Sequence, residues 1–219
     1  MALFITFEGG EGSGKSVQAK ALYRRLAQST VPALLTYEPG GTPCGNKIGR
    51  WLKWAEAKDI SPVAELLLFN ASRAQLVGEV IRPNLESGMV VICDRYAGST
   101  IAYQSYGRGL DLEMVEAINN TATQGLKPDL IVLLDLPVKE GLARKRVKKQ
   151  DRFEQEDIAF HKKVREGYLK MAANDPQHWV IVDASQTKAK IREIIWQRVS
   201  QLLPRQGGWI KECPKSESR

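Results

Sequence analysis

The sequence predicts a three-layer α/β fold: a five-stranded parallel sheet with helices on both faces and a short lid, in one domain over residues 1–203. Three observations predict it. Continuous apolar runs such as Met89–Cys93 and Leu130–Leu134 lack polar alternation, which suits parallel strands covered on both faces. Segments with helical spacing separate such runs, and the strand-then-helix pattern occurs five times, as right-handed crossovers in one sheet require. At the N-terminus an apolar run, ALFITF, meets G-x-x-x-x-G-K-S and then a helical segment without a break.

That last order is the grammar of a P-loop, and it narrows the fold to the P-loop NTPase class. Glycines let successive backbone N–H groups of Gly9, Gly10, Glu11, Gly12, Ser13 and Gly14 turn inward around a phosphate. The helix that follows, VQAKALYRRLAQ, presents its N-terminus to the same anion. Lys15 is placed to reach the outer phosphates of ATP, and the Ser16 hydroxyl to ligate the accompanying Mg²⁺.

The remaining elements follow in order. Ala33–Glu38 reads as a strand stopped by Pro39-Gly40-Gly41. Ile48, Trp51, Leu52 and Ala55 recur at helical spacing within Cys44–Ala57. Ser61-Pro62 starts the next helix with a capping serine and a proline at the first helical position. Helices are expected at about Ser99–Tyr106 and Leu112–Gln124, then at Val138–Val147 and Glu154–Ala173 around a polar stretch, with a lid at about 143–153. Trp179–Val182 is the fifth strand and Lys188–Leu203 the last helix, leaving 204–219 as a tail with little apolar content, expected to be flexible. In such sheets ligands bind beyond the carboxyl ends of the strands, so the P-loop, Glu38, Asp94-Arg95 and Asp135 should converge.

Composition narrows the function classes. No apolar run approaches bilayer length, and the N-terminus reads straight into a strand without a leader pattern, so a cytoplasmic protein is expected. Cys44, Cys93 and Cys213 have no metal-ligand spacing and suit a reducing compartment. The net charge of +7 would attract polyanions; with a P-loop present, nucleotide phosphates account for it more economically than nucleic acid or a membrane.

Phosphoryl transfer needs charge neutralised on both sides of the moving group. Asp94 ends an apolar strand and can hold waters around Mg²⁺, with Asp135 as the rival; Arg95 beside Asp94 favours the first, since a guanidinium fork can grip an acceptor phosphate. The cations from Arg144 to Arg152 suggest a lid, and Arg144, Arg146 and Arg152 are the members expected to act. Phe69 and Arg73 are four apart on one helix face, the spacing of a core residue or of a base clamp.

Read together, EGGEGSGKS, EPGGT, LLLFxASRxQLV, DRYxxSTxAYQ and DRFEQE resemble thymidylate kinase of the bacterial type, from about Phe4 to Leu203. The resemblance implies transfer of the ATP γ-phosphate to dTMP, with Mg²⁺, in a homodimer. It implies that Phe69 stacks on thymine, Arg73 bonds its edge and Arg95 binds the dTMP phosphate. Glu38, Thr100 and Gln104 would belong to the nucleoside pocket, with Tyr103 crowding the 2′ position of the sugar and Glu11 near the acceptor sugar or phosphate. Gly12 matches the subgroup in which lid arginines, here Arg144, Arg146 and Arg152, supply charge that the P-loop lacks. Tyr37, Asn46, Gly49 and Lys148 depart from that pattern, which bears on how Glu38 is held and which lid cation acts. The other readings are a kinase for a different nucleoside or nucleoside monophosphate, and a nucleic-acid-binding ATPase, which would show steep salt dependence.

Overall fold

The computed structural model describes residues 2–54, 60–145 and 150–203. Five parallel strands, β1 (Leu3–Glu8), β2 (Ala33–Tyr37), β3 (Val90–Asp94), β4 (Leu130–Asp135) and β5 (Trp179–Asp183), lie in the order β2-β3-β1-β4-β5. β1 is central and buried along its whole length, as an unalternating apolar strand must be.

Its side chains alternate between two helix layers. Leu3, Ile5 and Phe7 pack with Leu22 and Leu26 of α1 (Lys15–Gln28) and Ile195 and Val199 of α9 (Lys188–Leu202). Phe4 faces the other way, into Leu76, Ile81, Val91 and Tyr96. That second layer holds α3 (Pro62–Leu76), α6 (Leu112–Thr123) and α8 (Ile158–Asn174), the last packing Phe160, Val164 and Tyr168 against Tyr103 and Leu133. α2 (Pro43–Trp54) lies beside α3, and α7 (Val138–Lys145) runs into the segment expected as a lid.

The start signals work as the sequence predicts. Ser61 Oγ accepts the Ala64 N–H at 3.3 Å with Pro62 opening α3, and Asp111 and Thr187 cap α6 and α9 in the same way. Past Leu76 the chain widens into a π-helical turn, Val77–Ile81, before α4 (Arg82–Glu86). α5 (Ala97–Thr100) starts two residues before the expected Ser99 and also continues as π-helix, Ile101–Gly107.

One helix is corrected. The segment expected to be helical from Glu154 becomes helical only at Ile158, where Asp157 accepts the Phe160 N–H at 2.6 Å. Before it, the Asp151 carboxylate accepts the N–H groups of both Phe153 and Glu154 at 3.0 Å, so a side chain satisfies the backbone in turns instead. The ends of two expected helices (55–57, 146–147), the cations Arg146, Lys148 and Lys149, and the tail from Pro204 lie outside the described residues.

Candidate active site

A cleft of about 1050 Å³ runs along the carboxyl edge of the sheet, from the P-loop to the face of α3 that carries Phe69 and Arg73. One end is built for phosphate. α1 has no side-chain cap, and its N-cap, Gly14, sits at φ 92°, so the first N–H groups of the helix are open to an anion. The Lys15 amine folds back into the loop, donating to the carbonyls of Gly9 at 2.9 Å and Gly10 at 2.8 Å. Burial and the nearby Arg95 charge push this amine down to about 8, against the pull of Glu11, Asp94 and Glu8. A phosphate would give it the counter-charge that carbonyls do not.

The rivalry between two strand-end aspartates has a geometric answer. Asp135 is held by Arg165 through two bonds, at 2.7 and 2.8 Å, which commits both of its oxygens. Asp94 accepts from the Ser16 hydroxyl and lines the cleft. Ser16 and Asp94 thus offer adjacent oxygen ligands at the phosphate end, a donor set that suits Mg²⁺. Among the described residues no group of three or more His, Cys, Asp or Glu side chains could hold a metal alone, so phosphate oxygens and waters would complete its shell.

Beyond the loop lies a linked set of polar groups. Arg95 Nη2 donates to Glu11 Oε1 at 2.5 Å, and Nη1 to Ser99 Oγ at 3.2 Å. Tyr103 Oη donates to the same Glu11 oxygen at 2.7 Å, and the Arg95 guanidinium lies over the Tyr103 ring at 5.2 Å. Burial alone would raise the Glu11 carboxyl, but Arg95, Lys15, Tyr103 and Lys145 outweigh it and hold Glu11 ionised, well below the usual carboxylate range.

The far end is shaped for a flat ring. Phe69 and Phe153 stand with centroids 5.6 Å apart, and Phe153 meets Tyr103 edge-on at 6.1 Å. Arg73 is 1% exposed at the floor. Its donors go to Glu38, Asn70, Asn119 and the Tyr96 carbonyl, which uses all five N–H groups of a guanidinium. Thr100 and Gln104 line the same end; Gln104 donates to Glu65 at 2.8 Å.

The lid divides. Arg144 reaches the donor end, donating to the Ala184 carbonyl at 3.3 Å beside Gln186, Thr187 and Lys188. α7 can approach because Gly12 and Gly141 face each other: a Cβ on Gly12 would lie 2.1 Å from the Gly141 carbonyl oxygen. Arg152 is a correction. It does not line the cleft; it is 6% exposed, with Nη2 2.7 Å from Glu65 Oε2 and Nε donating to the Leu52 carbonyl at 3.1 Å. The cause is Glu65, a fully buried carboxylate that is paired by Arg108 at 3.2 Å and draws Arg152 to its second oxygen.

The structure therefore brings Gly9 to Ser16, Glu38, Phe69, Arg73, Asp94, Arg95, Thr100, Tyr103, Gln104 and Arg144 to one cleft or its rim, and leaves Arg152 out. It also adds groups the sequence reading passed over. Glu8, 1% exposed, accepts from the Tyr96 N–H, Ser99 and Tyr168 and so fixes the start of the Arg95 segment. Its only signal was a charged residue closing an apolar strand. Lys145, 2.6 Å from Glu154 and 3.9 Å from Glu11, joins the cleft from inside the basic cluster.

Comparison with known proteins bears on this geometry. A family model described as Thymidylate kinase matches residues 7–195. The thymidylate kinase of Dehalococcoides mccartyi is 53% identical over 203 residues, covering 93% of this chain and 98% of the relative. That of Thermomicrobium roseum is 46% identical over 207 residues, covering 94% and 98%. The crystal structure of thymidylate kinase from Ehrlichia chaffeensis superposes with a TM-score of 0.74 at 28% identity, covering 90% of this chain and 98% of that one.

Proposed function

Since the chain belongs to the thymidylate kinase family and its reaction is the phosphorylation of dTMP, we propose that its substrates meet end to end in this cleft, in a catalytic domain over 1–203. ATP, the phosphate donor the family implies, takes the P-loop end, with Arg144 packed over its base beside Gln186 and Lys188. dTMP takes the other, with thymine against Phe69, its edge turned to Gln104 and to Arg73, whose N–H would leave Asn70, its longest bond at 3.3 Å, for the base, and Glu38 bracing Arg73. Arg95 and Glu11 lie between them and so act on the acceptor phosphate and sugar. Thr100 and Tyr103 wall the sugar, the tyrosine where a 2′-hydroxyl would crowd it.

Lys15 leaves the loop carbonyls for the transferring phosphoryl group and stabilises charge that develops there. Ser16, with Asp94 behind it, would hold the Mg²⁺ that accompanies ATP, and the ion would add to the charge neutralisation there. Phe153, carried by the lid stem and packed on Phe69 and Tyr103, shields the acceptor from water, which would otherwise compete as nucleophile.

The observation that carries this reading is the single continuous cleft joining the P-loop to the Phe69–Arg73 face. A panel of nucleoside monophosphates with ATP and Mg²⁺ tests it: dTMP is turned over in strong preference, and equal turnover of CMP, UMP or AMP overturns it. The enzyme is further proposed to be a cytoplasmic homodimer. Val63 and Leu67, exposed on α3, and Leu112, exposed at the start of the neighbouring α6, support the dimer, and the free Cys44 and Cys93 suit a reducing compartment. Sedimentation of the purified chain checks the first, and localisation of a tagged chain the second.

A further inference from the structure

The acceptor end of the cleft has a charge deficit. dTMP brings a phosphate with close to two negative charges, yet the cations facing it are already opposed. Arg73 is paired with Glu38, Arg95 with Glu11, and Lys145 with Glu154. β2 ends in a neutral pair, Tyr37 Oη donating to Asn46 Oδ1 at 2.9 Å. On α2 Gly49 sits so close to Pro39 that a Cβ would lie 2.7 Å from its carbonyl oxygen, which leaves no room for a side chain at that position.

One turn after Gly49, on the same face of α2, stands Lys53, half-buried in the cleft wall with Phe69, Asp151 and Phe153. Among the described residues no carboxylate comes within ion-pair distance of its amine: Asp151 feels its charge without pairing to it. From this juxtaposition we propose that Lys53 is a substrate-binding residue, the cation that meets the 5′-phosphate of the acceptor. The inference rests on the reading of the far end as the dTMP pocket. An amine with no ion-pair partner among the described residues can turn to an incoming phosphate without breaking a pair shown there, which neither Arg73 nor Arg95 can do.

The position also allows a clean test. Lys53 holds the lid stem through its main chain, its carbonyl accepting the Arg152 N–H at 3.1 Å, so replacing the side chain leaves that anchor in place. Binding of dTMP and of thymidine, which lacks the phosphate, is measured by calorimetry on the wild type, Lys53→Met and Lys53→Arg, alongside steady-state kinetics. In Lys53→Met dTMP affinity falls about tenfold or more, the order expected for loss of a charged hydrogen bond, while thymidine affinity and the KM for ATP hold and Lys53→Arg restores dTMP binding. Unchanged dTMP affinity in Lys53→Met, or an equal loss for thymidine, overturns the inference. Failure of the wild type itself to bind or phosphorylate dTMP would instead overturn the reading of the pocket.

Discussion

Arg73 and Glu38 form a buried ion pair beneath the base pocket, with Nε 2.9 Å from Oε2 and side chains 1% and 3% exposed. Burial works against the Arg73 charge, but Glu38 outweighs it and keeps the guanidinium ionised. Glu38→Gln therefore strands a buried cation and should cost about 3–5 kcal/mol of stability, read by urea denaturation. Arg73→Ala should lower stability too, and in the surviving enzyme raise the KM for dTMP far more than that for ATP. Equal changes in both would show that Arg73 only holds the fold.

Arg95 has work at the active site only if the acceptor already carries a phosphate. Arg95→Met should lower kcat/KM for dTMP by about 10²–10³, the order seen when one charge-stabilising donor is lost. Thymidine, a competitive ligand without the phosphate, should bind nearly as well as before. A comparable loss of thymidine affinity would place the role of Arg95 in the pocket's shape, through Tyr103 and Ser99, rather than in phosphate binding.

Much of this site could be read from local sequence because local physics makes it. The P-loop is contiguous, Asp94-Arg95 closes one strand, and Phe69 and Arg73 share one helix face. What escaped depends on partners distant in sequence. Arg152 looked like a lid cation until Glu65, 87 positions away on α3, claimed it. Glu8 is legible only once Tyr96, Ser99 and Tyr168 surround it. The late start of α8 is a local matter, decided by Asp151 bonding the backbone ahead of the helix. Strand order lay outside the pattern altogether, since every parallel strand here presents the same apolar run.

α7 meets the P-loop backbone to backbone, and glycine at both positions permits it. Gly12→Ala would put a methyl 2.1 Å from the Gly141 oxygen at a φ of 69°, and Gly141→Ala one 2.2 Å from the Glu11 oxygen. Each should cost about 1–3 kcal/mol and weaken ATP binding by withdrawing Arg144 from the donor end. Gly10→Ala, with nothing within 4 Å of the added carbon, should melt with the wild type. Thermal melts and ATP titration of the three variants decide it, and unaltered ATP affinity in Gly12→Ala would mean that α7 does not dock on the loop in solution.

The Lys15 amine, pushed down to about 8 from an ordinary 10.5, makes the stability of the empty enzyme depend on pH in mild alkali. Burial is the main cause and Arg95 the next, so the folded state penalises the charged amine. The sign follows from proton counts: between the folded and unfolded values the unfolded chain holds the extra proton, so stability rises with pH there. The gain is on the order of 3 kcal/mol between about pH 8 and 10.5, and it should be absent in Lys15→Met. Nucleotide binding should run the other way. ATP binds the charged amine, and its affinity should fall by up to about tenfold per unit as pH rises above 8. Calorimetry with ATP from pH 7.5 to 10, paired with urea melts of the empty protein, measures both slopes. Flat ATP affinity across that range would show that the amine keeps its proton in the loop and that the carbonyls of Gly9 and Gly10 solvate it better than burial suggests.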